Sequence, residues 1–203
     1  MEFSMLYDGR AGIRNLTDET DDLIARSQAG DREAFGSIFQ IHSRFVYKFI
    51  CAMLGGDDET AKELMQETFL AAYKSIGGLR GEATLRTWLC GIAKNLVYKN
   101  FRSRRHQNVG SSEKIELLNF ADNKNLLPDR EFLSKELSQV IGAALAELDE
   151  DKRLVFVLKE MQFLSYKEIS DITGFSIPKL KTDLHRAKIE MRHILRPYLE
   201  AKQ

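Results

Sequence analysis

Between Ser176 and Lys188 the chain reads SIPKLKTDLHRAK, and its polar side chains are of the kinds that bind nucleic acid. Lys179, Lys181, Arg186 and Lys188 are cations able to hold phosphates or reach guanine, and Thr182 and His185 can donate to phosphate or base. Leu180, Leu184, Ala187 and Met191 recur at helical spacing, which turns one face inward and leaves the polar set on or near the other. Arg186 and Lys181 are the leading contact candidates. Asp183 sits among them, and its carboxylate repels phosphate unless it pairs or reads a cytosine amino group.

The segment upstream must aim this helix. Ser165 can cap a short helix in which Ile169 and Ile172 face inward, and Gly174 supplies a tight turn. Ser176 then caps the second helix, where Pro178 is tolerated because the first-turn N–H has no helical partner to lose. Two helices joined by a Gly-containing turn form a helix-turn-helix, whose second helix enters the major groove. A lone basic helix is usually a solvated surface helix. The capped first helix, the turn and the Ser-x-Pro start favour the DNA-reading alternative.

The 203 residues carry 30 basic and 30 acidic side chains, and the zero balance is uneven along the chain. Residues 1–75 carry a balance of −5, 76–107 of +6, 108–152 of −5 and 153–203 of +4. Two basic blocks between acidic ones suggest two anion-contacting surfaces, because local field rather than net charge attracts phosphate. Only three prolines occur. Apolar side chains at i, i+3, i+4 spacing predict helices over 18–29, from Asp31 to Gly55-Gly56, over 57–76 and over 84–105, which together form a compact bundle. From His106 to about residue 126 the periodicity fades into a polar linker that still holds Ile115, Leu117, Leu118 and Phe120. Pro128 suits the first turn of a helix reaching about Leu148, and Asp149–Met161 makes another. The expected architecture is all-α. It comprises an N-terminal tail (1–17), a helical bundle (18–105), a flexible linker (106–126) and a C-terminal helix-turn-helix domain (127–200).

Composition also excludes. No run approaches the ~18 apolar residues of a membrane span, and the first residues lack the form of a secretory signal. Cys51 and Cys90 with four scattered His supply neither a disulfide framework nor a zinc ligand set. A cytoplasmic protein without metal or cofactor is expected. There is no Gly-rich phosphate loop, paired-His metal motif or nucleophile elbow. Glu63 and Glu67 at i, i+4 lack the Glu-x-x-His of di-metal bundles, so an enzyme is not expected.

In the N-terminal bundle, Gly30-Asp31 with Ala34-Phe35 is followed by Gln66-Glu67-Thr68-Phe69. Arg80-Gly81-Glu82 comes next, then Trp88-Leu89 with Ile92-Ala93 and Asn95. The C-terminal half adds Arg153-Leu154-Val155-Phe156, Tyr166, Glu168-Ile169 and His185-Arg186-Ala187. In this order they resemble the extracytoplasmic-function (ECF) sigma factors of the sigma-70 family, the two-domain specificity subunits of bacterial RNA polymerase. The resemblance covers about residues 20–105 and 128–198.

The resemblance implies that the bundle is sigma region 2 and the helix-turn-helix is region 4, which read the promoter −10 and −35 elements. The 57–76 helix would grip the clamp helices of the polymerase's largest subunit through Leu64, Gln66, Glu67 and Phe69, although periodicity turns Leu64 and Phe69 toward the core. Leu79, Arg80, Trp88, Lys94, Asn95, Lys99 and Arg102 would open and hold the −10 element, a task needing a base pocket and backbone cations. Arg104 and Arg105 are further phosphate candidates, and Trp88 either stacks on a base or packs in the core. Ser176, Lys179, Lys181, Thr182, His185, Arg186 and Lys188 would read the −35 element. Leu79 stands where the family often has Phe, and Asp183 where it is often basic. Glu113, Glu116 and Asp122 of the linker would mimic nucleic acid in the polymerase or simply be solvated. Expected partners are core polymerase (clamp helices and flap), promoter DNA and an anti-sigma factor, with a monomer in the free state. A free-standing helix-turn-helix repressor or activator of duplex operators is the rival reading.

Overall fold

The computed structural model describes residues 17–81, 83–108 and 128–200, and every regular element among them is helical. The first bundle comprises α1 (Thr17–Gln28), α2 (Arg32–Met53), α3 (Asp58–Ser75) and α4 (Leu85–Asn108), with a 3-10 turn at Ile76–Gly78. The second contains α5 (Pro128–Glu147), α6 (Glu150–Phe156), α7 (Tyr166–Thr173) and α8 (Ile177–Glu200). α6 runs on into a π-helical turn at Val157–Met161, in place of the uninterrupted helix expected there.

The starts are set by side chains that satisfy the unpaired N–H groups of a first turn. Asp31 accepts from the Glu33 and Ala34 amides, Asp57 from Thr60, and Asp149 from Asp151. Thr84 caps α4 by accepting from the Thr87 amide at 3.2 Å. Gly55 and Gly56, at φ 67° and 99°, close α2 in a conformation that disfavours side chains. α4 extends to Asn108, three residues past the expected end. The rest of the expected linker, with Glu113, Glu116 and Asp122, lies outside the described residues, as does the N-terminal tail before Thr17.

Burial follows most of the apolar spacing, although Phe39, Ile41 and Tyr73, spaced to face inward, are exposed. Ile38, Val46, Phe49 and Ile50 of α2 are fully buried with Leu89, Ala93 and Val97 of α4. In the second bundle Leu154, Leu158, Ile169 and Leu180 form the centre. Each such large side chain contributes roughly 1.5–3 kcal/mol of apolar burial. The two centres meet in one apolar cluster, so the domains expected on either side of a tether also pack against each other. No helix among the described residues is long and apolar enough to cross a membrane.

Candidate nucleic-acid and polymerase interfaces

The helix-turn-helix is built by local hydrogen bonds. Ser165 and Glu168 make a reciprocal capping box at the start of α7, with Ser165 N–H donating to Glu168 Oε2 at 2.8 Å. Gly174 stops α7 at φ 74°. The turn is tied by Ser170 Oγ donating to Phe175 O at 2.7 Å and by Phe175 N–H donating to Thr173 Oγ1 at 3.1 Å. The Lys179 amide reaches Ser176 Oγ only at 3.5 Å, a weak version of the expected cap. Leu180, Leu184, Ala187 and Met191 are buried, as their spacing predicts.

The six polar candidates that follow on α8 are all exposed but not equally available. Lys179 Nζ lies 2.6 Å from Asp183 Oδ2 and 3.1 Å from Asp151 Oδ2, and sits over the Phe175 ring. Partial burial acts to lower its pKa, but the Asp183 and Asp151 carboxylates outweigh that and raise it. Asp183 is thereby buried and paired, and it presents no free carboxylate to DNA. Lys188 pairs with Glu160 at 2.9 Å. Thr182 Oγ1 donates back to Pro178 O. Lys181, His185 and Arg186 remain the most open donors of the set, with Lys181 Nζ 5.8 Å from the Tyr166 ring centroid.

The −10 candidates fall on two faces of α4. Asn95, Lys99 and Arg102 are exposed on one, with half-buried Trp88 at its N-terminal end packed against the core. Lys94 lies on the other. It is half-buried, donates to Ile172 O at 2.8 Å, and burial lowers its pKa. Arg104 is occupied by Asp57 and Thr60, and Arg105 by Glu150. Leu79 is half-buried and Arg80 exposed, on a loop held by Gln28 Nε2, which donates to Ile76 O and Leu79 O at 3.0 and 2.9 Å. Glu82 is outside the described residues.

This loop borders a cleft of about 1300 Å³ between α1, α2 and the Met161–Leu164 turn. Arg44, Arg80 and Arg86 line it, and Arg86 stacks over Phe45 at 4.1 Å. His42 is buried at its edge. Burial, with Arg86 nearby, lowers the imidazole from 6.5 to about 4 and keeps it neutral.

On α3, Gln66 and Glu67 are exposed, whereas Leu64 and Phe69 are 6% and 4% exposed and belong to the core. The latter two therefore support the helix from beneath, and of the four expected contact residues only the polar pair is open to a partner. Sequence reasoning missed Phe39, Leu70 and Tyr73, which are 38%, 55% and 41% exposed. Phe39 stacks edge-on against Phe69, and Phe35 against Tyr73, so an apolar strip is presented beside Gln66 and Glu67. The helical spacing of apolar residues turns Phe39 and Tyr73 inward, and the structure exposes them; the signal available was Leu70, which lies off the apolar repeat.

Comparison with known proteins adds independent findings. Residues 38–107 match Sigma-70 region 2 and residues 138–191 match Sigma-70, region 4. The ECF RNA polymerase sigma factor SigW of Bacillus subtilis is 30% identical over 85% of this chain and 95% of its own length. The RNA polymerase sigma-H factor of Pseudomonas aeruginosa is 27% identical over 91% of this chain and 98% of its own. Among solved structures, the sigma factor RpoE of Bartonella quintana, in complex with the anti-sigma factor NepR, is similar with a TM-score of 0.66. That likeness is at 21% identity, over 80% of this chain and 96% of that one.

Proposed function

The chain belongs to the sigma-70 family as an ECF sigma factor directing transcription initiation by RNA polymerase, and from this premise we propose how its residues divide the work. α8 reads the −35 element through Lys181, Thr182, His185 and Arg186, with Ser176 at the helix start. The open face of α4, formed by Asn95, Lys99 and Arg102, follows the −10 strand, while Leu79, Arg80 and Trp88 bound the space for a displaced base. α3 offers Gln66 and Glu67, flanked by Leu70 and Tyr73, to the clamp helices of core polymerase. The second domain meets the flap.

The observation carrying this reading is that one chain presents two separate cationic helix faces, each exposed, behind an apolar strip suited to a protein partner. Duplex-operator binding explains the first face and leaves the second without a task, and the region 2 match removes the ground for a free-standing repressor. The protein acts in the cytoplasm as a monomer that becomes functional as a subunit. An anti-sigma factor holds it inactive, a proposal supported by the similar RpoE being solved with NepR.

Run-off transcription with purified core polymerase, on the promoter upstream of the protein's own gene, tests the assignment. Specific initiation should require this chain and be lost on Arg186→Ala or on Gln66→Ala with Glu67→Ala. Initiation that survives both variants would overturn the residue roles. A footprint of the chain alone on a symmetric duplex site, without core binding, would overturn the whole assignment.

A further inference from the structure

The cleft beside the 79–81 loop is lined by more positive than negative charge. Arg44, Lys48, Arg80 and Arg86 line it with only two carboxylates, Asp21 and Glu168. Glu168 is already engaged, accepting from Ser165 N–H and Thr87 Oγ1 at 2.8 and 3.2 Å. Among the described residues, the guanidinium groups of Arg44, Arg80 and Arg86 form no ion pair and donate no hydrogen bond. Local charge of this kind attracts anions whatever the net charge of the chain.

Arg86 is the sharpest case. It is half-buried, its guanidinium lies 4.1 Å from the centre of the Phe45 ring, and its Nε–H is shut off from solvent without an acceptor. A guanidinium carries five N–H donors, and withdrawing them from water unpaired costs free energy that ring stacking returns only in part. Burial accordingly lowers the Arg86 pKa. His42 repeats the pattern on α2. It lines the same cleft and is 8% exposed, yet its Nε2 has no partner among the described residues. Two buried polar atoms at one cleft are thus left for a group the chain itself does not supply.

The start of α4 adds donors of a second kind. Thr84, Leu85 and Arg86 line the cleft, and Thr84 Oγ1 caps only the Thr87 amide. The Leu85 and Arg86 amides, at the positive end of the helix dipole, have no helical partner and suit an anion. The remaining walls are apolar, with Ile24 and Ile41 from the first bundle and Met161 and Phe163 from the 161–164 turn. Phe163 is held at φ 58°, the single non-glycine residue at positive φ among those described. Its neighbours fix it there, Gln162 N–H donating to Val157 O at 2.9 Å and Leu164 N–H to Leu158 O at 3.1 Å. Such a conformation persists only where the surroundings enforce it.

Three guanidinium groups beside a helix N-terminus select an oxyanion of several charges, since the planar fork matches phosphate oxygens in pairs. A DNA strand brings one charge per nucleotide, whereas a polyphosphate chain concentrates several at one point. The cleft, at about 1300 Å³, exceeds what a bare polyphosphate fills, and its apolar walls suit a planar base. We propose that this cleft binds a free nucleoside polyphosphate, its phosphates held by Arg44, Arg80, Arg86 and the α4 N-terminus, and its base set against the apolar walls. His42 Nε2 and Arg86 Nε gain the partner that the chain denies them. The site needs nothing from the promoter reading and stands or falls on the chain alone.

Calorimetric titration of the free full-length chain at near-physiological salt tests the site. The probes are ATP, GTP, adenosine, inorganic tripolyphosphate and a short single-stranded oligonucleotide. ATP or GTP should bind one-to-one, inorganic tripolyphosphate more weakly by about tenfold, and adenosine not measurably. Arg86→Gln and Arg44→Ala should each weaken the nucleotide by about tenfold or more, the size of a lost charged hydrogen bond. Arg44 is exposed and packs nothing, so its variant tests the site even if Arg86→Gln fails to fold. Arg192→Ala, on the exposed surface of α8 outside the cleft, should leave affinity unchanged. In nitrogen-proton spectra of the histidine rings, nucleotide should shift His42 and leave His193 in place. The proposal is overturned if neither nucleotide binds, if tripolyphosphate binds equally well, or if Arg192→Ala weakens binding as much as Arg44→Ala. Binding of the oligonucleotide without either nucleotide would also overturn it, and would assign the cleft to a DNA strand.

Discussion

Lys179 and Lys181 are two residues apart on α8, yet they are expected to behave differently toward DNA, and salt dependence separates them. A cation that neutralises a phosphate releases condensed counterions and contributes about 0.9 to the slope of log K against log salt. Lys179 already lies 2.6 and 3.1 Å from two carboxylates, so a phosphate gains little from it. Lys181 and Arg186 are exposed and carry no carboxylate partner among the described contacts. Replacing Lys181 by Ala should lower the slope by about one, as should Arg186→Ala if it holds phosphate. Across a fourfold change in salt, one lost contact removes a ~3.5-fold part of the salt-induced weakening. If Arg186 instead reads a guanine edge, its loss costs about 1–3 kcal/mol at that base pair. Lys179→Ala should leave the slope within about 0.3 of wild type. It should instead reduce folding stability by roughly 1–3 kcal/mol, because Asp183 is left buried without its closest partner. The assay is fluorescence anisotropy of the assembled holoenzyme on a labelled promoter, titrated with salt, alongside chemical denaturation of the free chain. A Lys179→Ala slope change equal to that of Lys181→Ala would refute the pairing argument.

Three further outcomes follow from burial and backbone geometry. His42 binds its proton more weakly when folded, so its contribution to stability is complete above pH 6.5 and is lost as pH falls through about 4. The loss amounts to about 3 kcal/mol, read as the difference in denaturation midpoints between about pH 7.5 and pH 4. His42→Gln should flatten that difference, and an equal pH dependence in both proteins would contradict it. Phe69→Ala should cost about 3–5 kcal/mol of stability. Gln66→Ala with Glu67→Ala should leave the melting temperature nearly unchanged while weakening core binding; the reverse pattern would exchange their roles. Gly174→Ala forces an alanine to φ 74° and should destabilise the second domain by about 1–2 kcal/mol, measured by thermal melting.

What was legible in the sequence, and what was not, follows from the range of the interactions concerned. Asp31, Asp57, Ser165 and Gly174 act on amides and carbonyls within four residues, so their capping roles are visible in a string of letters and recur in the fold. The buried stripe of α8 is equally local, because helical spacing alone decides which residues face inward. Asp183 shows where locality stops. Its i−4 neighbour Lys179 was in view, but Asp151, 32 residues upstream, completes the arrangement and turns an apparent obstacle to DNA into a structural pair. The contacts that Thr87, Lys94, Tyr98 and Arg105 of α4 make with Glu168, Ile172, Asp151 and Glu150 were hidden for a deeper reason. Thr87, Lys94, Tyr98 and Arg105 are polar, and a polar stripe on an amphipathic helix reads the same whether it faces water, nucleic acid or another domain. Gly142 of α5 is similar: a Cβ there would stand 2.9 Å from Gly55 O, but a glycine inside a helix declares only that something approaches closely, and Gly55 lies 87 residues away. The resemblance that supplied the −10 roles treated Lys94, Asn95, Lys99 and Arg102 as one surface. The fold divides them, because residues 94 and 95 differ by about 100° around the helix and only the second remains open. Lys94 is therefore a donor between the two bundles, and Lys94→Ala should lower the melting temperature, whereas Lys99→Ala on the open face should leave it nearly unchanged and weaken −10 binding.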